Sequence, residues 1–209
     1  MPQKPIKLAV LLSGSGTTLL NLLDRISIGK LNAQMSIVIG SRAGLVGIER
    51  ARGAGLRTEI VERKTFGDCA SFSRRVFELV DSADVELVCL AGWLCLLEIP
   101  ERYRGQTMNI HPSLLPSFGG KGLFGHKVHE AVLAHGCKVS GCTVHFVDDA
   151  YDAGPIILQR TCAVEESDTP TMLAHRVFEQ EKIAYPQAIE LFQQGRLKIE
   201  GRCVRIIPA

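Results

Sequence analysis

No stretch of this sequence stays apolar for the ~20 residues that a membrane-spanning helix needs. Nor does charge of one sign dominate. Lys and Arg number 24 against 22 Asp and Glu, a formal net charge of +2, too small to point to nucleic acid or a membrane surface. Cysteine occurs seven times, at 69, 89, 95, 137, 142, 162 and 203, but never as Cys-x-x-Cys. The odd count, and positions inside apolar runs such as Leu87-Val88-Cys89-Leu90, read as reduced thiols used as small hydrophobes. Zinc-ligand spacing is missing too, so no metal is expected. Repeats, low-complexity tracts and linkers are absent, and 1–209 reads as one domain. Met1-Pro2-Gln3-Lys4-Pro5 runs straight into an apolar segment without a leader pattern. The expectation is a soluble cytoplasmic protein, monomer or homodimer, acting on small molecules rather than on nucleic acid or membrane.

What is present is an ordinary globular balance, 46% apolar and 22% charged over 209 residues. That is enough chain to bury a core without disulfides or metals. Short apolar runs at 6–12, 35–39, 56–61, 87–91 and 107–110 read as strands. Segments at 17–26, 45–54 and 71–81 have helical apolar spacing. The alternation predicts an α/β fold of Rossmann-like character, a mainly parallel sheet flanked by helices. The second half differs. Runs at 139–147 and 156–163 read as antiparallel strands, 128–133 as a helix, and 171–194 as a long helix kinked or split at Pro186. Glu200-Gly201-Arg202 marks a final hairpin.

Two segments follow predicted strand ends, where ligands bind in an open parallel sheet. The first is Ser13-Gly14-Ser15-Gly16-Thr17-Thr18. Its glycines permit a tight turn, and the amides of the following helix suit a phosphate. Leu19 stands where a third dinucleotide-motif glycine would be, and no Walker lysine follows, so nicotinamide and nucleoside-triphosphate readings are disfavoured. A plain glycine turn with a Thr cap is the structural alternative.

The second is Met108-Asn109-Ile110-His111-Pro112-Ser113-Leu114-Leu115-Pro116. Residues two apart in a strand share a side, so Asn109 and His111 present an amide and an imidazole together. An amide can stabilise oxygen charge in a tetrahedral intermediate, and an imidazole can move a proton near neutral pH. An acidic residue from the turn 148–155, such as Asp152, could sit against the ring and raise its pKa. His145, in the apolar run 143–147, reads as a core or sheet-face histidine. His126, His129 and His135 read as a solvated helix face, Trp93 as core, and Arg74, Arg75, Arg102 and Arg104 as solvated charges.

Taken together, the motifs resemble those of the folate-dependent glycinamide ribonucleotide formyltransferases. The resemblance runs from Leu8 to about Leu197. It is carried by Ser13-Gly14-x-Gly16, Leu90-Ala91-Gly92-Trp93, Asn109 to Pro116, Gly141 to Val147, Asp152-x-Gly154-Pro155-Ile156-Ile157 and Gln180-Glu181-x-x-x-Tyr185-Pro186. It implies the formyltransferase fold and transfer of a formyl group from 10-formyltetrahydrofolate, as co-substrate, to the amine of 5-phosphoribosylglycinamide in purine synthesis. Asn109, His111 and Asp152 match the catalytic trio, with Asp152 raising the pKa of His111. Gly14, Ser15, Gly16, Thr17 and Thr18 match the phosphate loop, and Glu181 matches a ribose contact. Leu94, Cys95, Leu96, Leu97, Asn109, Val147 and Asp148 match the folate pocket.

Three positions depart from the common pattern: Thr18 for Asn, Cys95 for Arg, and Cys69 for an Arg that meets the folate tail, a part for which Lys64 and Arg74 are the candidate substitutes. The glycine-rich stretch 119–125 reads either as a mobile lid or as an ordered Ω-loop. Competing readings are a formyltetrahydrofolate hydrolase, which usually carries an N-terminal regulatory domain; a methionyl-tRNA formyltransferase, which expects a basic C-terminal domain; and a folate- or nucleotide-binding protein without catalysis.

Overall fold

The computed structural model describes residues 4–208. Backbone contacts divide the chain into two compact units, the first ending at Met108 and the second beginning at Asn109.

In the first unit, β1 (Ile6–Leu12) leads into α1 (Thr17–Ser27), and β2 (Ala33–Gly40) into α2 (Val46–Gly53). The short β3 (Thr58–Ile60) precedes α3 (Cys69–Asp81), and β4 (Leu87–Leu90) follows. The strand order is β3-β2-β1-β4, and each neighbouring pair is parallel. Continuous apolar composition explains why. β1 lies between two partners, and every residue from Leu8 to Leu12 has no exposed surface, as a strand covered on both faces requires. Helix α3 turns Phe72, Val76, Phe77 and Val80 inward, a 3.6-residue stripe. Asp68 caps its start, accepting a hydrogen bond from the Ser71 amide at 2.7 Å. Trp93 stacks on Phe72 with ring centroids 6.0 Å apart, as a core residue should.

The strand β5 (Thr107–His111) carries the boundary between the units. The second unit continues with α4 (His126–Ala134), β6 (Val139–Phe146), β7 (Ile156–Ala163), α5 (Pro170–Gln193), β8 (Leu197–Glu200) and β9 (Cys203–Ile206). Its order is β5-β6-β7-β9-β8. β6 with β7 and β8 with β9 are antiparallel pairs, so the antiparallel second half expected from sequence is present. Helix α5 packs on β6 and β7. It is neither split nor ended at Pro186. Proline removes one intrahelical bond, but the buried residues Ala184, Tyr185, Pro186, Ala188 and Ile189 hold that turn in the core. Tertiary packing outweighs the local penalty. Two 3₁₀ turns, Arg63–Thr65 and Glu101–Tyr103, have no counterpart in the sequence reading.

The histidines near α4 correct one expectation. His126 and His135 are exposed, but His129 is 4% exposed. It lies with Val128 and Val132 on the inner face of α4. Burial, reinforced by the nearby charges of His126 and His111, pushes its pKa down to about 4. A histidine buried neutral favours folding only while the unfolded chain also keeps it neutral. Its contribution should therefore be complete above pH ~6.5, the unfolded value, and fade as pH falls toward about 4. Thermal unfolding midpoints should drop over that window, and His129→Gln should flatten the drop. A wild-type midpoint constant from pH 7 to 4.5 would contradict this.

Candidate active site

The first unit positions the glycine loop. Gly16 precedes α1 at φ 76°, a left-handed conformation that favours glycine. A side chain there would also meet Gly47 Cα at 2.8 Å. Gly14 accepts the Gly47 amide at 3.1 Å, so two backbones cross without side chains between them. No side chain caps α1. Thr17 is exposed and Thr18 is buried. Ser13 ties this loop to the segment that begins at Leu94. Its Oγ accepts from the Leu94 amide at 3.0 Å and from Ser41 Oγ at 2.7 Å.

The segment 94–97 is held by its backbone. Besides the Leu94 amide, the Leu96 carbonyl accepts from Cys69 Sγ at 3.4 Å, and the Glu98 amide donates to Ser73 Oγ at 2.9 Å. Cys69 thus serves as a tether of this segment. Leu94 is exposed, Cys95 and Leu96 are half-buried, and Leu97 is buried. Burial raises the Cys95 thiol pKa, so Cys95 is a poor thiolate. Of the two cations considered for the folate tail, Lys64 pairs with Glu62 at 2.9 Å.

The second unit brings the three polar residues together. Asn109 Nδ2 donates to Asp152 Oδ1 at 3.3 Å, and His111 Nδ1 lies 3.5 Å from the same oxygen. Asp152 Oδ2 accepts from the Gly120 amide at 2.9 Å. Asp152 sits at φ 53°, a conformation unusual outside glycine but open to Asp. Two residues later, a Cβ on Gly154 would overlap the Phe146 carbonyl. The turn is therefore wedged against the end of β6. On the other side, Thr143 Oγ1 donates to the Ser113 carbonyl at 2.7 Å and accepts the Leu115 amide at 3.0 Å. It fixes the segment that leaves β5.

Burial pushes Asp152 upward, but the neighbouring His145 and His111 and the Gly120 amide outweigh that and hold its pKa below the usual carboxylate value. His111 corrects an expectation. Asp152 does pull its pKa up, as does the Phe118 carbonyl, yet burial is the larger effect and the net pKa is lowered. Both ring nitrogens face acceptors, which alone would favour imidazolium. The 3.5 Å separation from Asp152 is long for a hydrogen bond, whereas Nε2 is 2.9 Å from Phe118 O. A carbonyl only accepts, so the ring is read as neutral with its proton on Nε2.

His145, expected as a core or sheet-face histidine, is buried in β6 and also faces this cluster. Its Nε2 lies 3.1 Å from Asn109 Nδ2 and 3.8 Å from Asp152 Oδ1. Period-two spacing from Thr143 along β6 is the signal that could have placed it with the functional face. Glu181, on α5, retains some solvent exposure, and the surrounding protein pushes its carboxyl pKa up to about 7. Val147 and Asp148 are half-buried at the end of β6. Among the described residues, no group of three or more His, Cys, Asp or Glu could hold a metal ion, and no helix is long and apolar enough to cross a membrane.

The formyl transferase profile matches residues 6–189, running through both units. The chain belongs to the formyl transferase family. A crystal structure of glycinamide ribonucleotide transformylase 1 from Symbiobacterium toebii is similar at 42% identity and TM-score 0.90, covering 98% of this chain and 95% of that one. The chloroplastic phosphoribosylglycinamide formyltransferase of Arabidopsis thaliana is 36% identical over 92% of this chain and 67% of its own length. The trifunctional purine biosynthetic protein adenosine-3 of Gallus gallus is 38% identical over 93% of this chain, which spans only 19% of that relative. Within its family, the chain thus falls among the phosphoribosylglycinamide formyltransferases.

Proposed function

We propose that this formyltransferase moves the formyl group of 10-formyltetrahydrofolate to the amine of 5-phosphoribosylglycinamide, a step of purine synthesis. The observation that carries the reading is the cluster of Asn109, His111 and Asp152, with Asn109 and His111 both beside Asp152 Oδ1. The family match through both units supports treating 1–209 as one formyltransferase domain. The reading extends to a cytoplasmic protein, monomer or homodimer, without nucleic-acid or membrane partners.

In the proposed mechanism the substrate amine attacks the formyl carbon. Asn109 and His111 donate hydrogen bonds to the developing oxyanion. For His111, the donor is the Nε2 proton that Phe118 O takes in this structure, and for Asn109 it is the amide hydrogen that Asp152 Oδ1 takes, the other staying on His145 Nε2. A neutral imidazole suffices for this. The C–N bond to the folate nitrogen then breaks, and the proton leaving the new amide reaches that nitrogen through His111 or water ordered by Asp152. No acyl-enzyme forms. Gly14, Ser15, Gly16, Thr17 and Thr18 would hold the phosphate with α1 amides. Leu94, Cys95, Leu96 and Leu97 in the first unit would contact the folate, as would Val147 and Asp148 in the second.

Glu181 would accept the ribose hydroxyls, which it does best when ionised. With a carboxyl pKa near 7, the KM for the ribonucleotide should fall as pH rises through neutrality. Glu181→Gln should raise that KM and remove its share of the pH dependence. An unchanged KM in that variant would remove Glu181 from the site. The function itself is tested by following deformylation of 10-formyl-5,8-dideazafolate by absorbance. A signal that requires the ribonucleotide supports the transferase; one that does not would favour the hydrolase.

A further inference from the structure

His145 sits next to the last residue of β6, 2% exposed, and its hydrogen bonds determine its tautomer. Nδ1 is 2.8 Å from the Phe146 carbonyl oxygen. A carbonyl has no proton to give, so Nδ1 carries the hydrogen. In the neutral ring, Nε2 is then an acceptor, and Asn109 Nδ2 lies 3.1 Å from it. Asn109 Nδ2 also donates to Asp152 Oδ1 at 3.3 Å. The two acceptors are 3.8 Å apart, so they crowd the same side of the amide nitrogen. Turning the amide over would place the Asn109 oxygen against a carboxylate oxygen and an imidazole lone pair at once. The contact with His145 has a firm base, because the ring stands on a paired strand. Asp152, by contrast, belongs to a turn, and its Oδ1 takes the Asn109 amide at the longer distance of 3.3 Å.

We propose that His145 is a positioning residue for formyl transfer. As the Nδ1–H tautomer, it holds the Asn109 amide in the one orientation that directs its nitrogen at Asp152 and presents the same face of the amide to every incoming formyl group. His145 acts through Asn109 and need not touch substrate. This rests on the proposed use of Asn109 in formyl transfer, but the tautomer does not depend on that use.

Two substitutions of similar size separate the halves of the ring. His145→Gln can return a carboxamide oxygen to the position of Nε2. His145→Asn is shorter and can keep only the donor to Phe146 O. The Asn variant should lose roughly tenfold to a hundredfold in kcat, the range of one misplaced hydrogen bond, with KM for both substrates within about twofold. The Gln variant should recover most of that loss. Equal kcat in the two variants, or a loss confined to KM, would overturn the positioning role. Long-range ¹H–¹⁵N spectra of the histidine-labelled wild type provide the independent readout. A His145 signal from the Nδ1–H tautomer is expected, and an Nε2–H tautomer would overturn the proposal. A wild type with the expected tautomer but no formyl transfer would remove the proposed function while leaving the hydrogen-bond arrangement intact.

Discussion

Asp152→Asn is expected to fold normally and to lose ~10²–10⁴ in turnover, the range of a general acid–base group. The backbone is not the reason. Asp152 occupies φ 53°, and Asn tolerates the left-handed region as Asp does. The loss comes from donors and acceptors. One carboxylate oxygen receives Asn109 and faces His111, and the other receives the Gly120 amide. A carboxylate accepts at both oxygens, but an amide accepts at only one. In either orientation the new NH₂ group would point at a donor, from Asn109 or from Gly120. The negative charge that pulls the His111 pKa upward against burial disappears as well. The measurement is kcat of the purified variant beside its circular dichroism spectrum. A folded variant with near-normal kcat would remove Asp152 from the mechanism.

His111→Ala should cost ~10²–10³ in kcat, as removal of one preorganised oxyanion donor typically does. The dissociation constant for a folate analogue should stay within a few-fold, because His111 is assigned to the transition state rather than to the pterin pocket. The low pKa of His111 sharpens this. Burial dominates its electrostatics, so the residue is expected to work as a neutral donor, and kcat should persist above the ordinary histidine pKa of ~6.5. Loss of turnover as pH rises from 6.5 to 8, absent from the Ala variant, would show instead that the imidazolium is required.

Much of this was legible in the chain. The parallel first unit follows from short apolar runs alternating with helical stripes, and β1 shows that pattern directly. Asn109 and His111 were legible because period-two spacing puts them on one side of a strand, and Asp152 because the resemblance paired it with them. Other features depend on distant packing. Pro186 looks like a helix breaker until the buried face of α5 is seen. His129 looks solvated because its neighbours His126 and His135 are, but helical spacing puts it with Val132. His145 reads as a core or sheet-face histidine because it lies in the apolar run 143–147, and it is indeed buried. Its link to Asn109 arises from how β5, β6 and the Asp152 turn come together, which no local pattern encodes. The pKa of His111 eluded the sequence for a related reason: a charge partner can be guessed from a motif, but the degree of burial cannot.

The most direct test of the central claim follows the formyl carbon itself. Wild-type protein is mixed with 10-formyltetrahydrofolate labelled with ¹³C in the formyl group and with 5-phosphoribosylglycinamide, and the products are read by mass spectrometry and ¹³C NMR. The label should appear as an N-formyl group on the ribonucleotide amine, in step with the tetrahydrofolate released. Label recovered as free formate, with the ribonucleotide unmodified, would contradict the account.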